Sequence, residues 1–324
     1  MLAALLFVCS GQAAFGAETD AAITARPFSE FRAGQKNARF GALEFVGGIE
    51  FTSSNALLGA ISSIRFRPDR KSFIAVLDTG HWMTGSILRD EQGRLAGIES
   101  VRILPMVDAS GHEPRAKGDI DAEGLALRSG QAIVSFERRH RVDVYPDPGF
   151  ETSRPQKSLD FLIPRKHLRA NGGMETVTVA PPSGPLEGSV VVVAEKSVDE
   201  NGNFYAAILE GARKGQFKVQ RHDPFDVTDG AFLPNGDMIL LERAFSVFGG
   251  VGMRIRRIYG DSIRPGALVD GEVLIEADLG EQIDNMEGLD VVTGEDGVPH
   301  LIVVSDDNHS IFQRSLMLEF RLNR

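Results

Sequence analysis

The sequence predicts an all-β fold, a β-propeller of five four-stranded blades, with six blades as the alternative count. Three observations predict it. One short hairpin with acidic ends recurs along the chain, a more polar strand pair follows each copy, and helical periodicity is nearly absent. A β-sandwich is the structural rival, but it does not require a repeat.

The hairpins are SIRFRPDRKSFIAVLD (63–78), EGLALRSGQAIVSFE (123–137), ETVTVAPPSGPLEGSVVVVAE (175–195), DGAFLPNGDMILLE (229–242) and EGLDVVTGEDGVPHLIVVSD (287–306), at spacings of 52 to 60 residues. Each turns at its centre, at Pro68-Asp69, Ser129-Gly130, Ser183-Gly184, Asn235-Gly236 and Asp296-Gly297. Gly and Asn supply the positive φ that tight turns need. The second strands are apolar runs such as Val190–Val193, which suit strands buried on both faces. ILRD with IESVRIL, RVDVY with LDFLI, FYAAILE with QFKVQR, and MRIRRIY with EVLIEADL follow the first four hairpins. Only LMLEFRL follows the fifth, so ALEFVGGIEF (42–51) is expected to complete that blade and close the ring. KHLRANGG is the best helical window, and it is short.

The chain has 324 residues, 42% hydrophobic and 25% charged, with a net charge of -10. That balance argues against nucleic-acid or anionic-membrane partners, which want a basic face. No later segment is apolar and long enough to span a membrane as a helix. The first 17 residues read as an export signal: Leu2–Val8 is apolar, and Ala14-Phe15-Gly16 is a plausible cleavage site. Val8 before Cys9 favours cleavage over lipid anchoring. The expected organisation is a signal over 1–17, a lead-in over 18–40 and one propeller domain over 41–324, periplasmic or secreted and monomeric. Cys9 is the only cysteine, so the remainder has no disulfide and no thiolate site.

In a propeller the start of a blade's first strand and the end of its second lie at the same end of the blade. Those places are acidic in four hairpins: Glu123 with Glu137, Glu175 with Glu195, Asp229 with Glu242, and Glu287 with Asp306. Each pair is expected to face across the ladder, and Ser63 stands opposite Asp78 in the first hairpin. Facing like charges destabilise a sheet, so compensation is needed. Arg138, Lys196 and Arg243 each follow a second acid and would supply it, as inter-blade struts. Alternatively a ring of carboxylates at the channel mouth would suit Ca²⁺, a hard cation taking oxygen ligands. Asn285, Asp307 and Asn308 add oxygens beside the fifth pair. His81 and His309 lie three residues beyond a second-strand acid and are candidate acid–base or substrate-binding groups.

Zinc-site spacings, a G-x-S-x-G elbow, a P-loop and a dinucleotide fingerprint are absent. DENGN (199–203) reads as a hairpin turn rather than a calcium loop, and FGGVG (248–252) as a loop between strands.

DAEGLAL…VSFERRHRVDVY, TDGAFLPNGDMILLERAF and DNMEGLDVV…LIVVSDDNHS resemble the family called esterase-like activity of phytase, or phytase-like domain. GAISSIRFRPDRKSFIAVLDTG is similar to its opening repeat, although Leu77-Asp78-Thr79-Gly80 departs from the usual Ser-Asp-Arg-Gly. The resemblance covers roughly residues 40–322. It implies hydrolysis of a small-molecule ester, including a phosphate ester, outside the cytoplasm.

Three functions compete. The first is a metal-assisted ester hydrolase. Glu123, Glu137, Glu175, Glu195, Asp229, Glu242, Glu287, Asp306, Asp307 and Asn308 would be its metal ligands. Glu287, Asp306, His309 and Glu123 would be its catalytic groups, and Arg138, Arg243, Lys196 and His81 its substrate-binding groups. The second is a non-catalytic binding module with acid–base struts. The third is a lactonase-like carboxylic ester hydrolase with one channel metal.

Overall fold

The computed structural model describes residues 19–36, 39–113, 119–246 and 250–323. The expected signal segment and residues 248–249 of the FGGVG loop lie outside them. Five antiparallel sheets stand around one axis as blades. Blade 1 comprises Ile61–Phe66, Ser72–Leu77, His81–Arg89 and Leu95–Pro105 from the axis outwards, and blade 2 Ala122–Arg128, Gln131–Phe136, Arg141–Pro146 and Lys157–Leu159. Blade 3 comprises Met174–Val179, Val190–Val198, Phe204–Ile208 and Gly215–Val219, with Leu268–Val269 added in parallel outside. Blade 4 comprises Asp226–Phe232, Met238–Ser246, Gly250–Ile258 and Glu272–Ala277. Blade 5 comprises Met286–Thr293, Pro299–Ser305, Ser315–Leu322 and Leu43–Ser53.

The ring closes as the sequence leads one to expect. Ser315 pairs with Phe51 and Leu322 with Leu43, so strands from opposite ends of the described chain share blade 5. The lead-in is more than a leftover. Thr19–Ala21 adds an outer strand to blade 1, and Ile23–Phe28 adds one to blade 5. One short segment therefore spans the outside of the seam where the first and last blades meet.

The second strands show why propeller blades carry apolar runs. Val191 and Val193 pack into one inter-blade layer with Phe204, Phe217 and Leu240, while Val190 and Val192 enter the next layer with Ile133 and Val144. A strand covered on both faces needs no polar alternation. Layers between blades 1 and 2 centre on Trp82, against Tyr145 and Phe150. The side of blade 5 that faces blade 4 is filled by Phe31, Phe45 and Phe320. The KHLRANGG window is reduced to a three-residue 3₁₀ turn, Arg165–His167. DENGN is a turn in which Asp199 Oδ1 accepts the Asn201 and Asn203 N–H groups.

Every first strand carries a β-bulge near its start, opposite the end of the second strand. The irregularities lie between Ile61 and Ser63, Ala122 and Leu125, Met174 and Thr176, Val227 and Asp229, and Met286 and Gly288. The bulged residues are thus Ser62, Glu123, Glu175, Thr228 and Glu287. A bulge re-aims a side chain and sharpens local twist. Gly124 and Gly288 follow two of these acids because the neighbouring blade leaves no room: a Cβ on Gly124 would stand 2.7 Å from the Val177 backbone nitrogen, and one on Gly288 3.3 Å from that of Ile64.

Candidate active site

The bulges set which side chains reach the channel mouth. On the second strands, Asp78, Glu137, Glu195 and Asp306 bond by their backbone N–H to the carbonyls of Ala60, Asp121, Gly173 and Asn285. Arg243 occupies the matching place in blade 4, opposite Asp226. The acids of a hairpin are therefore not directly opposed across the ladder, as the sequence spacing suggests. The first acid sits two residues further along, in the bulge, and both still reach one mouth.

Carboxylates from four blades converge there. Glu123 lies in the field of Glu137, Asp121, Asp78 and Glu287, and burial together with that field lifts its pKa well above the usual carboxylate range. Glu175 is lifted well above it too, by burial and then by Glu123, Glu195, Glu137 and Glu287. Burial also raises Glu137, whose carboxylate accepts the Gly173 N–H and a hydrogen bond from the Glu175 carboxyl. Glu287 is pushed up to about 7, chiefly by burial, against the opposing pull of Arg243. Asp306 is pushed up to about 6 by burial, and its Oδ1 accepts the Asn308 N–H at 2.7 Å.

Arg243 is the cation of the mouth. Its guanidinium donates to Asn285 and Glu287 and reaches Glu195 at 3.2 Å, tying blade 4 to blades 5 and 3. Lys196 Nζ donates to Glu195 at 2.6 Å, and Arg138, half exposed, pairs with the buried Asp121. These three cations face a larger number of carboxylates. Among the described residues, Asp121, Glu123 and Glu137 each offer an oxygen within 4.8 Å of the others, a grouping that could hold a metal ion. The donor set is all carboxylate oxygen, which fits a hard cation rather than a thiophilic one.

The floor is closed by a different pair. Arg65 of blade 1 crosses the axis and forms a buried ion pair with Asp229 of blade 4, 2.8 Å away. It also donates to the carbonyls of Leu289, Val177 and Gly230, so one guanidinium ties four inner strands together.

Asp229 is thus the first correction. The residue in the bulge of blade 4 is Thr228, and Asp229, one step along, faces the axis below the mouth. Glu242 is the second. It pairs with Val227, not Asp229, and points between strands to Arg256 and Arg254. A one-residue offset sends a strand's side chains to the other face.

The remaining residues lie at the rim. Asp307 is occupied, accepting the Ser315 hydroxyl at 2.6 Å and the His309 N–H at 2.9 Å. Asn308 and His309 are exposed and have positive φ. His81 is half-buried beside Thr79 Oγ1, at 3.1 Å, and burial lowers its pKa. Sequence reasoning missed Asp121 and Asp226 as members of the mouth. The period-two strand pattern was the available signal, since Asp121 lies two residues before Glu123.

The family model described as esterase-like activity of phytase matches residues 56–309, which holds all five hairpins and the whole mouth. The chain belongs to the phytase-like family. No curated protein matches this phytase-like chain in sequence. Among solved structures it is similar to an endo-arabinase from Bacteroides thetaiotaomicron, with 10% identity, 81% of this chain and 94% of that chain covered, and a TM-score of 0.48. It is also similar to the PQQ-bound aldose sugar dehydrogenase from Streptomyces coelicolor, with 11% identity, 93% and 99% covered, and a TM-score of 0.41. No helix among the described residues is long and apolar enough to cross a membrane.

Proposed function

We propose that this phytase-like propeller is an exported, metal-assisted hydrolase of small ester substrates, phosphate esters foremost. The observation that carries this reading is the mouth itself, where four blades send buried carboxylates together with too few cations beside them. Ca²⁺ held by Asp121, Glu123 and Glu137 would neutralise that charge and polarise the ester.

The chain's own groups have separable tasks. Arg138, Lys196 and Arg243 ring the mouth and present donors to the anionic part of a substrate. Glu287, with its pKa near 7, is placed to take a proton from water and return it to the leaving oxygen. Asp306 stands beside it. The Arg65–Asp229 pair lies below the mouth and ties the inner strands that carry these groups.

The test is hydrolysis of p-nitrophenyl phosphate and p-nitrophenyl acetate with Ca²⁺ and with EDTA. EDTA is expected to abolish turnover, and Glu287→Gln to lower kcat by about 10²–10⁴ with the fold intact. Glu123→Gln should weaken Ca²⁺ binding measured by calorimetry. The ion pairs Arg138–Asp121, Lys196–Glu195 and Arg243–Glu287 favour a second reading, a non-catalytic binding module with inter-blade struts. A protein that binds no metal, and whose melt is unchanged by EDTA, is that module. Turnover of the carboxylic ester alone would mark a lactonase-like hydrolase instead.

A further inference from the structure

At the end of the propeller where the hairpins turn, the first strands of blades 5, 1 and 2 border a cavity of about 670 Å³. Its volume is in the range of small-molecule pockets. It begins where the Arg65 tie stops: Phe66 follows Arg65, and Asp290 follows Leu289, whose carbonyl Arg65 holds. None of its lining residues belongs to the carboxylate mouth.

The charged side chains of the lining are Arg67, Arg70, Arg128, Asp147 and Asp290. All but one of them are engaged. Arg67 forms a two-pronged pair with Asp147, with Nη2 donating to Oδ1 at 2.7 Å. Arg128 is held by Gln131, 2.7 Å from its Nη2, and by Glu210, which follows the third strand of blade 3. Asp290 Oδ2 accepts the Phe66 N–H at 2.7 Å and lies in the field of Arg65. Arg70 is different. It is exposed, and among the described residues no carboxylate pairs with it. Its neighbour Asp69 is turned back on the hairpin, accepting the Lys71 and Ser72 N–H groups at 2.9 Å. Phe66, Leu127 and Val291, each half-buried, give the same cavity an apolar wall. One unpaired cation and an apolar wall suit a ligand with one anionic group and an apolar body.

We infer that this cavity is a binding site for a small organic anion, with its carboxylate or phosphate-like group on Arg70 and its apolar body against Phe66, Leu127 and Val291. A cationic ligand has no free acid to meet, since Asp147 is held by Arg67, and Asp290 by the Phe66 N–H and the charge of Arg65. Arg67 and Arg128 are fixed by their partners, so little ordering opposes binding. The inference goes beyond the hydrolase reading and holds whether or not the mouth is catalytic.

The experiment is calorimetric titration of the whole protein, in EDTA, with benzoate, phenylphosphonate and benzylamine. EDTA leaves the mouth without metal, so its carboxylates repel anions and anion binding reports the far cavity. At least one of the two anions is expected to bind, and the tighter one marks the anionic group that the site prefers. Arg70→Asn removes the charge and keeps a residue type that tolerates the local φ of 61°. It should weaken anion binding about tenfold or more. Failure of both anions to bind would overturn the inference, as would benzylamine binding as tightly as they do, or an affinity that survives Arg70→Asn.

Discussion

Arg65 and Glu287 are both buried ionisable groups, and they are held in opposite ways. Arg65 has partners along the edges of its guanidinium, with Asp229 as the charge and four carbonyls as further acceptors. Removing one member of such a pair strands the other in low dielectric. Arg65→Met should therefore cost about 3–5 kcal/mol, read as a lowered urea midpoint. Glu287 is instead crowded by Asp306 and Glu195, opposed by the charge of Arg243 and a hydrogen bond from Asn285. Its folded pKa of about 7 lies above its ordinary 4.5, and that of Asp306, about 6, lies above 3.8. The folded metal-free protein thus binds more protons than the unfolded chain between these limits. Stability is then fully present below about pH 4 and is lost as pH rises through 6 to 7. In EDTA, the melting temperature is expected to fall by several degrees from about pH 5 to pH 8. A Ca²⁺ ion bound only by the folded state should restore much of the loss at pH 8. A metal-free melt that is flat over this range contradicts the crowded mouth.

The bulge at the start of each first strand is the element that builds the site. It adds one residue without a compositional mark, so it was not legible in the sequence, whereas the acids it carries were. Counting outward from the turns placed Glu123, Glu175 and Glu287 correctly at the mouth end. The same counting failed in blade 4, because Asp229-Gly230 imitates Glu123-Gly124 and Glu287-Gly288 in chemistry while lying one residue further on. Arg243, read as a follower of the acid Glu242, in fact holds the acid's own place. The glycine after the bulge is a packing requirement of the inner ring. Gly124→Ala would drive a methyl group against the Val177 backbone and the Ser135 hydroxyl, both 2.7 Å from the new carbon. The expected cost is about 1–3 kcal/mol, with a parallel loss of Ca²⁺ affinity, because Glu123 is displaced with its neighbour. Thermal denaturation and calorimetry on one preparation check both.

For the whole molecule, blade count and closure were legible because repeat spacing and an orphan strand pair are sequence-level facts. The outer strands Thr19–Ala21 and Ile23–Phe28 were not, since TDAAITARPF carries no strong strand pattern and takes its structure from the sheet edges it covers. Removing Ser315–Leu322 should leave Leu43–Ser53 as a long unpaired edge, and such edges recruit other chains. Size-exclusion chromatography of that truncation is expected to show aggregates in place of a single compact species.

The shared fifth blade also sets a timetable. Blades 1 to 4 are each contiguous in their four core strands and can form as the chain emerges, but Leu43–Ser53 has to wait for Ser315–Leu322. Pairing over such a sequence separation is slow, and the half-made ring exposes edges in the meantime. Glu287 and Asp306 reach the mouth only with that last blade. The carboxylate mouth is consequently assembled at the final step of folding, and a nascent chain has no complete mouth until Leu43–Ser53 and Ser315–Leu322 meet.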